Sequence, residues 1–369
     1  MIYIALALVL ALVHFAVPLA YYMRMKSHLG VPWGIRSDVG YRPKVTVILP
    51  TYNESNLIRK KLENLELQDY PKELVRTLVV DSSNDGTATI VEDWSRRKKS
   101  VTIEVVREEK RYGKLHAIQA ALRYIHSDSG IIVLTDADAF WEREAISKAV
   151  TYLSDPSIGA VTTKIVYSEA RDRFLERTYR NYYNTIRVAE SKIHSTPVQN
   201  GPFQAIEAGL VHQFGLPMFP GSDDSAFGSF LAFLGYRAIE ADNIETEEPM
   251  REKQLLRKIR RAQCLILNFL MTKRYAKNLG LYRRSSFDSI WKAEWWLHIG
   301  NPWLLIISIA LLGMSLALHE SVIGLAIMGV GLILLKMRLY RTWILQQACL
   351  VIAMLKTSWT REVVWTKHP

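Results

Sequence analysis

The stretch from Ile131 to Trp141, I-I-V-L-T-D-A-D-A-F-W, limits what this chain can fold into more than any other. Five β-branched or aliphatic residues in a row make a buried strand of the kind found in parallel sheets, apolar on both faces. The run stops at once in Asp136-Ala137-Asp138, so the strand surfaces and delivers two carboxylates at its C-terminal end. That is the edge at which open α/β sheets bind ligands. Carboxylates one residue apart can lean toward the same side of a turn and hold a hard divalent cation, whose other partners are waters and phosphate oxygens. An acidic strand-to-loop corner without metal is the plainer alternative.

Such a sheet needs further strands, and the middle of the chain supplies them. Val45–Pro50 reads as a strand that hands over to Thr51-Tyr52-Asn53-Glu54, and helical spacing follows from Ser55 to Glu66. Thr77–Val80 is a second strand, closing on Asp81-Ser-Ser-Asn-Asp-Gly-Thr87, a polar turn suited to capping a helix. Val101–Val106 is a third, after which Arg111-Tyr112-Gly113-Lys114 opens a helix from Leu115 to Ile125; Ile158–Val166 is a fifth. Strands alternating with helices imply right-handed crossovers and a mostly parallel sheet, an α/β domain over residues 42–250. Three polar clusters, Thr51–Glu54, Asp81–Asp85 and Asp136–Asp138, then line one crevice. Each alone is ordinary turn chemistry. Gly113-Lys114 lacks the upstream glycine of a P-loop and no strand is followed by G-x-G-x-x-G, so a nucleotide here is held by side chains and a metal.

The chain is 49% hydrophobic with a mean hydropathy of +0.02, an average that conceals apolar ends and a polar middle. Residues 1–23 are almost wholly apolar, close to the ~20 residues that a membrane-crossing helix needs. A cleaved signal peptide fits less well, because no basic residue precedes the run and it exceeds the usual ~7–15-residue apolar core. Arg24, Lys26 and His28 follow directly, which places the next segment in the cytoplasm by the positive-inside rule. Trp295, Trp296 and Trp303 form an aromatic belt before Leu304–Leu318, and Val322–Leu335 returns after a turn at His319-Glu320, so residues 296–338 read as a transmembrane hairpin. Basic residues on both sides, Arg338 and Arg341 before and Lys356, Arg361 and Lys367 after, make residues 339–369 an interfacial or re-entrant helix with a cytoplasmic tail. Cys264 and Cys349 stand far apart in apolar contexts and suggest packing rather than a disulfide or zinc site.

Charge is concentrated. Residues 251–284 hold eleven Lys or Arg and one acid, Glu252, a net +10 in a chain whose total is +11. Nucleic acid is one partner for so basic a stretch. The interleaved run Cys264–Met271 instead favours an amphipathic helix on anionic lipid, and residues 251–295 are read as a basic interfacial segment. Arg171–Ser195, rich in Arg and Tyr, reads as a second such helix.

The segments I-L-P-T-Y-N-E, V-V-D-S-S-N-D-G-T, R-Y-G-K, L-T-D-A-D-A-F and G-S-D-D-S-A-F, in this order, resemble the family 2 glycosyltransferases of GT-A fold, as do Glu176–Ser191 and Asn200–Phe203. The resemblance implies a nucleotide-sugar donor, Mg²⁺ or Mn²⁺ on Asp136 and Asp138, and inversion at the anomeric carbon. It assigns Thr51, Tyr52, Glu54, Asp81 and Asp85 to the nucleotide, Lys114 and Asp136 to nucleotide and diphosphate, Gly201 and Phe203 to the acceptor side, and Asp224, beside Asp223, to the general base. For Asp223-Asp224 a helix N-terminus before Ala226 is the alternative, and both readings hold together. Where relatives carry Q-x-x-R-W this chain has Gln254-Leu-Leu-Arg-Lys-Ile-Arg-Arg-Ala-Gln263 with no tryptophan: Gln254 with Arg257 matches literally, Arg260, backed by Arg257 and Arg261, is favoured as the diphosphate clamp before the apolar run, and a basic face resting on lipid is the alternative.

The chemistry asks for the same roles. Breaking a sugar–phosphate bond builds charge on the leaving diphosphate, which a cation stabilises, while the acceptor hydroxyl gives its proton to a carboxylate. The expectation is therefore a three-span, metal-dependent inverting glycosyltransferase. It is most similar in layout to ceramide glucosyltransferases, with hyaluronan synthases as the larger relatives, and acts at the cytoplasmic face from a nucleotide hexose, UDP-hexose first, to a membrane lipid. A processive polysaccharide synthase, a polyprenyl-phosphate glycosyltransferase and a non-catalytic sugar-nucleotide-binding protein are the alternatives, the last disfavoured by the intact set of Asp136, Asp138 and Asp224.

Overall fold

A computed structural model describes residues 2–97, 101–166, 174–248, 254–319 and 322–360. The elements run α1 (Ile2–Lys26), β1 (Lys44–Thr51), α2 (Ile58–Glu66), β2 (Val75–Asp81), α3 (Thr87–Arg97), β3 (Thr102–Arg107), α4 (Lys114–Leu122), β4 (Ser129–Thr135), β5 (Phe140–Trp141), α5 (Ala145–Leu153), β6 (Ile158–Val166) and α6 (Phe174–Ile193). They continue with β7 (Phe203–Glu207), α7 (Ala208–Phe214), α8 (Asp224–Phe233), β8 (Arg237–Glu247), α9 (Gln254–Asn278), α10 (Phe287–Trp295), a π-helical turn Trp296–Gly300, α11 (Asn301–His319), α12 (Val322–Leu334) and α13 (Arg338–Trp359).

The strands form one eight-stranded sheet in the order β3-β2-β1-β4-β7-β6-β8-β5. Neighbours from β3 to β4 are parallel, as are β6 and β8. β7 runs against both β4 and β6, and β5 against β8. Successive side chains of a strand point to opposite faces, and both faces here are covered. Val45, Val47, Leu49, Ile131 and Val133 pack with α2, α3 and α5 on one side. Ile48, Ile132 and Leu134 pack with α4, α7 and α8 on the other. Each such aliphatic residue, buried fully, contributes roughly 1.5–3 kcal/mol, which is why the I-I-V-L run sits at the sheet's centre.

Five strands follow the sequence expectation and three do not. β5 has two residues, β7 is interrupted by Gln204, and β8 carries Glu240, Asp242, Glu245 and Glu247, so none shows the apolar run that marked the others. The order 3-2-1-4 puts the direction change of the connections between β1 and β4, the place where doubly wound sheets open a ligand crevice.

α1 and the continuous helix Phe287–Leu318 are each long and apolar enough to cross a membrane. They lie antiparallel: Ser308 Oγ donates to the Ala7 carbonyl at 2.9 Å and His14 Nδ1 meets the Asn301 carbonyl at 2.9 Å. Seven residues on one helix thus match seven on the other, the spacing of coiled-coil-like packing. α12 has 13 residues, about 20 Å at 1.5 Å per residue, and alone falls short of the roughly 30 Å hydrocarbon core. The expected return span therefore exists only if α12 and α13, bent by 105°, count as one. The extended backbone of Met337 breaks that pair. Glu320, the other half of the expected turn, lies outside the described residues, as do Arg361 and Lys367.

α6 corrects a second expectation. Its Arg180, Asn184, Arg187 and Glu190 are buried, and Tyr182 stacks on Tyr22 of α1 at 4.9 Å. The described face of this helix is committed to protein, with Ile186 and Ala189 packed on Met25; residues 171–173 lie outside the described ones.

Candidate active site

A cleft of about 420 Å³ opens at the C-terminal edge of β1 and β4. Thr51, Tyr52 and Glu54 from the end of β1, Lys114 from the start of α4, Asp136 and Asp138 after β4, Gly201 before β7, and Asp223 and Asp224 at the start of α8 all line it. Arg257, Arg260 and Arg261 of α9 close one side, and Gln346, Cys349 and Leu350 of α13 form part of the wall.

Lys114 is the electrostatic centre, with Nζ 2.8 Å from Asp136 and 3.5 Å from Asp224. Burial works against its charge, but the two carboxylates hold the ammonium protonated above its ordinary range. For Asp136 burial is outweighed by Lys114, and its carboxyl stays below the usual range. Asp224 goes the other way: burial and the Asp136 charge push it up. Asp223 is pushed up by burial and by Asp224. Its carboxylate caps α8, accepting from Ser225 N at 3.1 Å and Ala226 N at 3.3 Å, so the helix-start reading holds while both acids face the cleft.

Gly201 explains how Asp224 fits. A Cβ at residue 201 would collide with Asp224 Oδ2 and crowd Lys114 Nζ. Any side chain there displaces the carboxylate. Beneath the Asp136–Asp138 turn lies Lys61, fully buried, its Nζ donating to Thr135 Oγ1 at 2.9 Å and to the Ala139 carbonyl at 2.7 Å and standing 4.0 Å from the Trp141 ring centroid. Those bonds fix the ends of the turn. Desolvation brings this amine down to about 7.

At the nucleotide end, the Arg111 guanidinium lies 3.7 Å from the Tyr52 ring centroid. Asp81 is 3% exposed and stands behind the wall, accepting the hydroxyls of Thr51 and Ser83, each at 2.6 Å. Asp85 does not line the cleft. Against burial, the Thr87 hydroxyl donating at 2.5 Å, with Ser55 N at 3.0 Å and Thr87 N at 3.1 Å, draws the Asp85 carboxyl down to about 2. It orders the loop that caps α3.

Phe203 is a correction. It is 0% exposed and packs edge-on to Trp141 at 4.8 Å, inside the sheet's core. A fully apolar ring at the first residue of a central strand is driven inward, and Pro202 lines the cleft in its place.

The basic segment also divides. Arg257, Arg260 and Arg261 line the cleft, and Arg261 pairs with Glu248. Burial brings Arg260 down to about 10. Lys273, Arg274 and Lys277, further along α9, line a separate groove. Arg251 and Lys253 lie outside the described residues.

Sequence reading missed three groups. Arg187 of α6 lines the cleft and donates to Asn200 Oδ1 at 2.7 Å, while Asn200 Nδ2 donates to Glu240 Oε2 at 2.8 Å. His298, in the π-helical turn, lines the cleft with Nδ1 3.1 Å from Glu294 Oε2 and its ring stacked on Phe269. Such turns occur frequently at functional sites. Glu294 in turn hydrogen-bonds Glu190, which accepts the Tyr21 hydroxyl at 2.5 Å.

Among the described residues no three His, Cys, Asp or Glu cluster as a metal cage. The donor set still fits a hard cation of the Mg²⁺ or Mn²⁺ kind, which takes one or two carboxylates with phosphates and water as its other ligands. Asp136 and Asp138 offer that pair on one turn.

Residues 46–214 match the family described as glycosyl transferase family 2. The chain is 38% identical, with a TM-score of 0.86, to the structure of "Mannosyltransferase PcManGT from Pyrobaculum calidifontis in complex with GDP-Man and Mn2+", covering 98% of this chain and 100% of that one. It is 29% identical over 196 residues to an N-acetylglucosaminyltransferase of Rhizobium meliloti (strain 1021), 50% of this chain and 45% of the relative. Over 107 residues it is 28% identical to a dolichyl N-acetyl-alpha-D-glucosaminyl phosphate 3-beta-D-2,3-diacetamido-2,3-dideoxy-beta-D-glucuronosyltransferase of Methanococcus voltae, 29% of this chain and 32% of that protein. The match thus spans less than half the length of both curated relatives. The fold is of GT-A type.

Proposed function

The chain belongs to glycosyl transferase family 2, and we propose that it transfers a hexose, with inversion, from a nucleoside-diphosphate sugar to a hydroxyl borne by a membrane lipid. The observation that carries this reading is the convergence of Asp136, Asp138, Lys114 and Asp224 in one cleft. Similarity over the whole chain to a mannosyltransferase solved with GDP-Man and Mn²⁺ favours GDP-mannose over the UDP-hexose expected from sequence. The dolichyl phosphate in another relative's name supports a lipid-linked acceptor.

Thr51, Tyr52 and Glu54 hold the nucleoside end. Lys114, with Arg260 and its neighbours Arg257 and Arg261, receives the negative charge that develops on the diphosphate as the bond from the anomeric carbon to the phosphate oxygen breaks. Asp136 and Asp138 would hold a divalent cation that neutralises the same charge. Asp224, whose raised pKa suits a general base, takes the proton of the acceptor hydroxyl as its oxygen bonds to the anomeric carbon. His298 and Arg187 stand on the acceptor side.

In this reading α1 and the helix Phe287–Leu318 cross the bilayer, and the basic residues at the end of α1, Arg24 and Lys26, favour a cytoplasmic catalytic domain. Wall residues from α13 open the cleft toward an acceptor held at the membrane. Among the described residues two helices, or three spans if the bent pair counts as one, are apolar enough to cross a membrane, which supports transfer of a single sugar to a lipid over processive synthesis through a channel.

The test uses the full-length protein with a panel of GDP- and UDP-sugars, Mn²⁺ or Mg²⁺, and total polar lipid. Lipid product is identified by mass spectrometry and nucleotide affinity by calorimetry. GDP-mannose turnover that stops with chelator is expected; no affinity for any nucleoside diphosphate would overturn the reading.

A further inference from the structure

A groove of about 520 Å³ runs between α9 and α10, and it shares no lining residue with the catalytic cleft. Arg274 and Lys277 from α9 and Lys292 from α10 face it, together with Leu270, Trp291 and Trp295. A fourth cation, Lys273, is neutralised by Asp288. Among the described residues no carboxylate pairs with the other three, so the groove carries uncompensated positive charge. Its rim is apolar: Leu270 is 50% exposed and Trp295 38%.

The height of this groove follows from the pairing of the two membrane helices. Ala7 is level with Ser308 and His14 with Asn301. One heptad further, Tyr21 and Glu294 both bond Glu190. Continuing the antiparallel register brings Arg24 level with Trp291 and Lys26 level with Ser289, within one turn of Lys292. That is where the chain leaves the hydrocarbon and where tryptophans and cations meet headgroups.

We propose that the α9–α10 groove is a binding site for an anionic phospholipid, its phosphate held by Arg274, Lys277 and Lys292 and its acyl chain laid along Leu270 and Trp295. Charge and exposed apolar surface on one rim fit a lipid and not a soluble phosphate, which has nothing to place on the leucine and tryptophan. Two jobs thereby divide along α9: its first turns serve the cleft, its last turns the bilayer. The inference rests on the membrane-embedded reading but not on sugar transfer, so it stands or falls separately from the proposed activity.

The test is native mass spectrometry of the full chain purified from nanodiscs of equal phosphatidylcholine and phosphatidylglycerol, reading the lipid retained after detergent exchange. The wild type should keep phosphatidylglycerol preferentially. Changing Arg274, Lys277 and Lys292 together to Gln should remove that preference, at about fivefold per cation and on the order of 100-fold for the three. A control with Lys336, Arg338 and Arg341 changed to Gln removes equal charge outside the groove and should leave the preference intact. Lys292→Gln alone should give the single-cation loss, which covers the case in which the triple variant does not fold. Equal retention of both lipids by the wild type overturns the proposal. So does an unchanged preference in the folded variants, or an equal loss in the control, which would reduce the effect to diffuse surface charge.

Discussion

The carboxylate of Asp224 occupies the space into which residue 201 would project a side chain if it were not glycine. Gly201→Ala therefore moves the proposed base rather than removing it. Because small misplacements of a reacting group cost on the order of 10²-fold, turnover should fall by about that factor while nucleoside-diphosphate affinity stays within twofold of wild type, roughly the noise of a 0.4 kcal/mol difference. Steady-state kinetics beside calorimetry on the same preparation checks it.

Asp224→Asn keeps the shape and removes the proposed base. Loss of general-base catalysis costs ~10²–10⁴-fold. Since burial raises the Asp224 pKa, wild-type turnover should decline with acid at a pH above the ordinary carboxylate range, and the variant should show no such limb. A pH–rate profile for both proteins decides; a phosphate acceptor, already ionised near neutrality, would leave the variant close to wild type.

Lys61→Met exchanges the ammonium that pins Thr135 and Ala139 for a side chain of similar length without donors. Outer-shell groups of this kind are worth 10–100-fold in metal affinity or activity. The half-saturating Mn²⁺ concentration for turnover should rise by about that range, measured by metal titration, with the fold monitored by circular dichroism.

Glu240→Gln addresses stability. Burial pushes the Glu240 carboxyl up to about 8 from 4.5, Arg187 and other cations opposing. The folded chain then holds a proton that the unfolded chain releases, so this group's contribution is complete below pH about 4.5 and is lost as pH rises toward 8, at no more than about 1.4 kcal/mol per pH unit. Thermal unfolding followed across that window should slope downward for the wild type and distinctly less for the variant. Parallel slopes would show that Glu240 ionises normally.

The central strands were legible because aliphatic runs ending in Asp or Thr-Tyr-Asn-Glu announce both a buried strand and its ligand-facing end. The groups that complete the cleft were not. Lys61 sits on an ordinary amphipathic helix, and only the fold brings its amine under a turn more than seventy residues away. Gly201 is assigned to the acceptor side by the resemblance, but that its missing side chain makes room for the Asp224 carboxylate is visible only in the fold. Phe203 was misread because proximity in sequence to Gly201 says nothing about which face of β7 a ring takes. Strand β8 was hidden by its acids, one of which, Glu240, is buried and held by Asn200, a pairing visible only in three dimensions.

The bond from the Tyr21 hydroxyl to Glu190 joins a helix long and apolar enough to cross a membrane to the glycosyltransferase domain. Burial and the neighbouring Glu294 charge keep the Glu190 carboxyl protonated well above its usual range, so the Tyr21–Glu190 bond joins two neutral groups. A buried bond between two uncharged groups offers little for salt to screen. At this contact the domain is therefore held on the helix by packing and an uncharged hydrogen bond and not by an ion pair.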